Sequence, residues 1–511
     1  MSPSSANSLA EAGMRAAACW AERPALSFGD QTSTYQELHQ QTCRLAGGFR
    51  ELGLGEGSRL AVMIPNCPEF VLTYMAASHV GATVVPVPAL LGAEEVAYIL
   101  NDVGAQAMVV AEELAAIGHG AAQQADTVEA LVVCGDTPEP DAACFGELME
   151  ATEPLVEPAA VSAEMPAVII YTSGTTGKPK GAVLTHRNLL ANVEACRQAI
   201  SISEEDVFVT VLPLFHSFGA TVSMLLPMFC GCHNVLLPGF SALHTVEAIQ
   251  QNRATLVAGV PTMYALMMQV TDAGGYDLSS LRFAVSGGAA LPDEVCVSFE
   301  QTYGVPIIEG YGPTEASPVV SVNPIDGRRK LGSVGLPLPG VETVIADDDM
   351  AELPVGAIGE ICVRGPNVMT RYHNAEELTN ETLVNGWLRT GDMGKLDEDG
   401  YLYIVDRKKD LIIVGGINVY PREVEDCIAG MAQVAEVAVV GAPSKLRGEV
   451  VAAYVVLREG AEASAQQIID HCRRHLAPYK VPKQVRFADG LPKSPIGKVL
   501  KQMLRSASSI E

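Results

Sequence analysis

The stretch Tyr171-Thr-Ser-Gly-Thr-Thr-Gly-Lys-Pro-Lys-Gly181 follows the apolar run Ala167-Val-Ile-Ile170 and leads into a second one, Ala182-Val-Leu-Thr185. Two short apolar runs around a loop of glycines, hydroxyls and cations read as strand, loop, strand. Thr172, Ser173, Thr175 and Thr176 supply hydroxyl donors, Lys178 and Lys180 supply positive charge, and Gly174 and Gly177 let the backbone wrap. Such a loop suits a polyphosphate, which needs donors and cations on several sides. It is not the common ATPase loop. That pattern requires Ser or Thr after Gly-Lys at the start of a helix, and here Gly177-Lys178 is followed by Pro179. A helical spacing (Asn188, Leu189, Asn192, Val193, Cys196) begins only after Thr185.

Outward from this loop, the chain has room for more than one domain: 511 residues, 48% of them hydrophobic. Helical stretches at Pro68 to Val80, Thr245 to Arg253 and Pro292 to Tyr303 alternate with strand-like runs, the pattern of an α/β domain with mixed, substantially parallel sheets. The formal charge of −26 argues against nucleic acid and against adsorption to anionic membranes. That charge is unevenly spread. Arg407 to Glu511 holds 16 Lys+Arg and 11 Asp+Glu, whereas residues 1–406 hold 18 and 49. The shift predicts a large N-terminal domain over 1–406 and a small C-terminal α+β domain over 407–511. Val405-Asp-Arg-Lys-Lys-Asp410 reads as a polar link between the apolar strands Tyr401 to Ile404 and Leu411 to Val414. In the small part Pro421 opens a helix, strands follow at 436–440 and 450–456, and Ser464 with Gln467 caps a second helix.

From Val207 to Val246 there is no charged Lys, Arg, Asp or Glu, yet Pro213, Pro227 and Pro238 and Gly219, Gly231 and Gly239 cut the segment into pieces too short to span a bilayer. We expect buried strand, helix and strand, part of it lining an apolar channel, and no integral membrane segment. The 12 cysteines are scattered without a zinc or disulfide spacing, and the N-terminus lacks the form of a secretory signal. A reducing, cytoplasmic location is expected.

The loop at 171–181 resembles, residue for residue, the phosphate loop of the adenylate-forming superfamily, which includes acyl-CoA synthetases, luciferases and peptide-synthetase adenylation domains. Further motifs follow in that family's order. Leu212-Pro-Leu-Phe-His216 is implied to border the acyl pocket through His216. Ser286-Gly-Gly-Ala-Ala290 and Glu309-Gly-Tyr-Gly-Pro-Thr-Glu315 resemble the adenine site, implying nucleotide contacts from Gly288, Ala289, Ala290, Glu309, Gly310, Tyr311 and Gly312. Thr314 would meet the α-phosphate, and Glu315 with Thr172 would offer hard oxygens to Mg²⁺. Trp387-Leu-Arg-Thr-Gly-Asp392 supplies Asp392, which with Arg407 corresponds to the family's ribose-binding pair. Lys409 falls on the hinge position, and Pro492-Lys-Ser-Pro-Ile-Gly-Lys498 makes Lys498 the candidate catalytic lysine.

The resemblance implies ATP, Mg²⁺ and coenzyme A as cofactor and substrates, and a carboxylic acid as the group activated. A carboxylate attacking a phosphorus ringed by negative oxygens is helped chiefly by charge neutralisation and alignment. Lys498, Mg²⁺ on Glu315 and the loop donors would supply these. The small domain, mobile in the family, then turns about Lys409 and brings the hairpin Val414-Gly-Gly-Ile417, with Gly415 and Gly416 free of side chains, to a pantetheine tunnel. The stretches Val322 to Lys330 and Gly415 to Glu425 look most like bacterial fatty-acid CoA ligases. Small residues Gly219, Ala220, Ala316 and Ser317 are expected to leave room for a long or wide chain, and the acid is expected to be a medium- or long-chain fatty acid. An aryl-CoA ligase of benzoate or cinnamate type is the alternative. Less favoured are a luciferase-type oxygenase, an adenylation protein loading a carrier, for which no Gly-Gly-His-Ser-like attachment site is seen, and a non-catalytic nucleotide-binding protein. Lys480, Lys483, Arg473 and Arg474 are basic candidates for the CoA nucleotide.

Overall fold

The computed structural model describes residues 5–135, 141–151, 153–172, 179–270, 275–444, 447–493 and 499–508. The chain forms two compact units, Met1–Thr343 with Val363–Leu388, and Val344–Cys362 with Arg389–Glu511. Segment 389–406 thus falls in the second unit.

The first unit is α/β, with two large sheets. One runs, among the described residues, in the order Arg371–Tyr372, Lys180–Thr185, Pro166–Thr172, Thr83–Pro86, Arg59–Met63, Ala107–Ala111, Ala130–Cys134, Ala143–Cys144. Its inner strands are parallel and read as unbroken apolar runs; Ala107–Ala111 is buried at every position, as a strand covered on both faces must be. The strands expected on either side of the loop are there as antiparallel neighbours, with Tyr171 opposite Gly181 and Thr172 opposite Lys180. Thr185 then accepts the backbone N–H of Asn188, and Asn188 answers on the Thr185 N–H, a capping box that starts helix His186–Ala199 where the sequence predicts it.

The second sheet of this unit is parallel from Pro24–Phe28 through His233–Leu236, Val207–Thr210, Leu256–Gly259 and Phe283–Ser286 to Ile307–Tyr311. Ser286 lies opposite Glu309 at the carboxyl ends of two neighbouring strands. That edge is where open α/β sheets place ligands, because loops diverge there and leave a crevice. The charge-free segment is strand, helix and strand as expected, its helix beginning as a wide, π-type turn over Gly219–Leu225 with every residue buried. No helix among the described residues is long and apolar enough to cross a membrane. One expectation fails here. A Cβ on Gly219 would lie 2.2 Å from the Pro213 carbonyl oxygen, so the missing side chain of this glycine makes way for backbone rather than for substrate.

The second unit holds most of the hairpin of Trp387–Leu396 and Leu402–Arg407, paired from Asp392 opposite Arg407 to Leu396 opposite Leu402 with a bulge at Val405. Strand therefore continues through Val405, Asp406 and Arg407, which the sequence reading assigned to a polar link; cross-strand hydrogen bonding outweighs their polarity, and only Lys408–Asp410 forms a turn. Beyond it a mainly antiparallel sheet runs Ile417–Val419, Ile412–Val414, Gly448–Leu457, Val434–Ser444, with Gln484–Phe487 beside Gly448–Leu457. Helices Pro421–Ala429 and Ala465–His475 cover it, burying Val424, Ile428, Ile468 and Cys472 against Ile412, Val439 and Val451. The predicted α+β composition is present.

His186, at the start of its helix, ties the N-terminal helix to the sheet layer: its Nδ1 accepts the Leu9 backbone N–H at 3.3 Å. Burial pushes the imidazole down from 6.5 to about 4. A neutral folded histidine that is protonated more readily when unfolded stabilises fully above pH 6.5 and loses that contribution as pH falls towards 4. Its worth is about 3 kcal/mol at pH 7. Denaturant titrations at pH 7 and pH 4.5 should differ by less in His186→Asn than in the parent by most of this amount; an unchanged difference assigns the acid sensitivity to other groups.

Candidate active site

Three side chains from separate segments of the first unit meet beside the start of strand Lys180–Thr185. Lys180 opens strand Lys180–Thr185, Tyr372 lies opposite Ala182 on the short strand paired to it, and Glu315 sits in the turn Thr314–Ala316 that follows strand Ile307–Tyr311. Lys180 Nζ donates to Tyr372 Oη at 2.6 Å, and that hydroxyl donates to Glu315 Oε1 at 2.7 Å. Lys180 Nζ is 3.6 Å from the same Oε1 and 4.1 Å from the Tyr372 ring centroid. Burial, then the charge of Glu315, pushes the Tyr372 phenol well up, so it stays a neutral donor. Directly across the strand pair from Lys180, the Thr172 hydroxyl is buried with no hydrogen-bond partner among the described residues.

A carboxylate and an unpartnered hydroxyl are hard oxygen donors of the type Mg²⁺ takes. Among the described residues no group of three or more His, Cys, Asp or Glu could hold a metal. Mg²⁺ would draw its other ligands from phosphate oxygens and water, as it does in sites built around a nucleotide. The donor set fits.

The sequence-predicted adenine segments adjoin. Gly288, Ala289 and Ala290 are exposed, while Glu309 is buried and its Oε1 accepts the backbone N–H of Leu291 at 3.0 Å. Geometry gives Glu309 the work of holding the 287–291 loop against the strand end. A Cβ on Gly312 would lie 1.7 Å from the Pro318 carbonyl oxygen, so this glycine serves close backbone packing irrespective of any base. Thr314 and Ser217 hydroxyls are 3.1 Å apart, and the Phe218 ring lies against Gly287. The chain after His216 therefore meets both the Thr314 turn and the glycine loop. His216 Nδ1 accepts the Phe218 N–H at 3.2 Å, which fixes the imidazole at the head of the wide helical turn.

In the second unit Asp392 and Arg407 are cross-strand partners, Nε to Oδ1 3.3 Å. Sequence reasoning missed Glu360, which organises this pair's surroundings. Nearly buried, it accepts the Gly391 N–H through Oε1 and pairs through Oε2 with Arg389 at 2.7 Å and Lys408 at 3.0 Å. Gly415 and Gly416 form the two-residue turn between strands Ile412–Val414 and Ile417–Val419, with φ of +60° and +84°, values that a tight hairpin imposes and glycine accepts. Among the described residues, no atom outside the immediate chain neighbours lies within 4 Å of a Cβ built on either, and Ile413 and Ile417 beside them are exposed. Lys409 lies in the turn Lys408–Asp410, where its carbonyl accepts Arg505 Nη1 at 2.9 Å. Of the basic CoA candidates, Lys480 is paired with Glu423 at 2.6 Å and Arg473 with Asp470 at 2.7 Å. Ser173, Gly174, Thr175, Thr176, Lys178 and Lys498 lie outside the described residues.

Comparison with known proteins bears directly on this arrangement. Residues 14–373 match the model of the AMP-binding enzyme family, and residues 423–498 match that of the AMP-binding enzyme C-terminal domain. A long-chain-fatty-acid-CoA ligase of Bacillus subtilis (strain 168) is 38% identical over 518 aligned residues, covering 96% of this chain and 92% of that protein. A feruloyl-CoA synthase of Amycolatopsis sp is 37% identical over 483, covering 94% and 95%. Among solved structures, an anthranilate CoA ligase in complex with anthranoyl-AMP superposes with a TM-score of 0.92 at 29% identity, covering 100% of this chain and 99% of that one.

Proposed function

The chain belongs to the AMP-binding enzyme family, and from that premise we propose that it converts a long-chain fatty acid to its CoA thioester. It is an AMP-forming acyl-CoA synthetase that uses ATP, Mg²⁺ and coenzyme A. In the first half-reaction a carboxylate oxygen bonds to the α-phosphorus of ATP as the bond to the β-phosphate bridge breaks, giving acyl-adenylate and pyrophosphate. In the second the CoA sulfur bonds to the acyl carbon, AMP leaves and the thiol proton passes to solvent.

The observation that carries the reading is the Lys180, Tyr372 and Glu315 cluster beside the buried Thr172 hydroxyl, which has no partner among the described residues. Mg²⁺, when bound by Glu315 and Thr172, would neutralise phosphate charge. Lys180 and the hydroxyls of Thr172, Ser173, Thr175 and Thr176, with the Gly174 backbone, would grip the β- and γ-phosphates, and Thr314 the α-phosphate. Gly288, Ala289, Ala290 and Tyr311 would flank the adenine, with Glu309, Gly310 and Gly312 shaping that wall. Asp392 would accept the ribose hydroxyls with Arg407 beside it, and Lys498 would meet the charge that develops at the α-phosphate. His216 would border the acyl group, and the bare turn at Gly415 and Gly416 would pass the pantetheine. For the cycle we retain 1–406 and 407–511 as the bodies that turn about Lys409. Twelve free cysteines support a reducing, cytoplasmic setting.

A long-chain fatty acid is supported by the likeness to the fatty-acid ligase of B. subtilis, whereas the likeness to the feruloyl-CoA synthase favours an aromatic acid. Each CH₂ entering an apolar pocket adds up to about 0.8 kcal/mol, so kcat/KM should climb as much as a few-fold per carbon into the long-chain range. Rates from acetate through palmitate, with benzoate and 4-hydroxycinnamate alongside, test this. A maximum at acetate, or preference for either aromatic acid, replaces the fatty-acid assignment.

A further inference from the structure

We propose that Tyr372 is a positioning residue that keeps Lys180 and Glu315 apart, so that the carboxylate is available to the divalent cation and the ammonium to the triphosphate. The inference rests on the proposed metal role of Glu315. An ammonium and a carboxylate this close would ordinarily close to a direct contact of about 2.7 to 2.9 Å. Here they stand 3.6 Å apart, each bonded instead to the phenol oxygen at their side, 2.6 Å from Nζ and 2.7 Å from Oε1. One hydroxyl thus serves both, accepting from the cation and donating to the anion, and such a chain strengthens each bond.

The phenol is held for this task. Tyr372 is 2% exposed, its backbone is fixed opposite Ala182 on the strand that also carries Lys180, and its N–H donates to Thr379 Oγ1 at 3.0 Å. Both contacts from Tyr372 and Lys180 fall on Oε1 of Glu315, and neither uses Oε2. Without the hydroxyl, Lys180 can collapse onto the carboxylate. The cation must then displace a full ion pair, and the phosphates lose a ready ammonium. Shape alone would not need a tyrosine: phenylalanine would fill the same volume and keep the ring face that Lys180 overlies.

The test is Tyr372→Phe in the full chain, read by binding as well as rate. Binding of ATP, followed by calorimetry across an Mg²⁺ titration, should need about tenfold more Mg²⁺ for half its maximal enhancement, and the Mg²⁺ dependence of pyrophosphate release should move with it. AMP binding without metal should change less than about twofold, since it involves neither charge pair at the β- and γ-phosphates. Tyr372→His, which keeps a ring and one N–H donor, should recover part of the shift. In a Glu315→Gln background the same Tyr372→Phe change should do little, because the carboxylate it acts through is gone. An unaltered Mg²⁺ dependence in Tyr372→Phe overturns the proposal, as do an equal loss of AMP and ATP binding or a chain that no longer folds in both Tyr372 variants. If Glu315→Gln alone leaves the Mg²⁺ dependence untouched, the metal role of Glu315 falls first, which separates the two failures.

Discussion

Lys498→Ala should abolish acyl-adenylate formation while leaving much of the thioester step when preformed acyl-adenylate is supplied. The reason lies in where charge develops. Attack on the α-phosphorus drives a carboxylate against negative oxygens, and removing one preorganised cation there costs about 10²- to 10³-fold or more in rate. Attack of a thiol on an acyl-adenylate builds its charge on the carbonyl and the departing AMP, which asks nothing of a cation placed for the first step. Pyrophosphate release and single-turnover thioester formation, measured separately on the variant, decide it. Equal loss of both half-reactions would refute the division of labour, and retained adenylation would remove Lys498 from the mechanism altogether.

Lys409→Pro should give the opposite pattern, with adenylation surviving and thioester formation falling by about tenfold or more, because proline fixes φ at the residue whose dihedrals must change. Local geometry makes this position sensitive. Its carbonyl, with those of Asp410 and Leu411, accepts from Arg505 of the C-terminal helix at 2.9, 3.2 and 3.4 Å. On the preceding side, Lys408 is anchored to Asp348 and Glu360 at 2.6 and 3.0 Å. The turn is thus held on both sides, by Lys408 and by Arg505. Loss of adenylation with thioester formation intact, or no effect on either, would place the pivot elsewhere.

What sequence alone determined are the features whose cause is local. Apolar runs on both sides of 171–181 are strands because their alternatives are worse, and their register follows once the loop has joined them. Thr185 with Asn188, and Ser464 with Gln467, start helices because a side-chain oxygen can satisfy an otherwise orphaned N–H three residues on. Gly415-Gly416 announces a two-residue hairpin because few residues other than glycine tolerate two successive positive φ values. The proline and glycine breaks in 207–246 likewise ruled out a membrane span. Family resemblance then named the reaction, since the order of residues in a nucleotide loop is set by the chemistry it performs.

Tertiary structure decided what depends on partners far away along the chain. Tyr372 carries no local mark, and its importance comes from Lys180, 192 residues off, and Glu315, 57 residues off. The same holds for the Ser217 and Thr314 hydroxyls, 97 residues apart, and for Glu360, whose contacts reach Gly391 and Lys408. Gly219 shows the same dependence: its missing side chain faces the backbone of Pro213, and a sequence does not say which surface will approach a missing side chain. Asp406 and Arg407 became strand because they pair across the hairpin with Met393 and Asp392, whatever their polarity. Local chemistry fixes where an element starts and how it turns, whereas the non-sequential order of strands in the sheet, with 371–372 beside 180–185 beside 166–172, fixes which side chains meet.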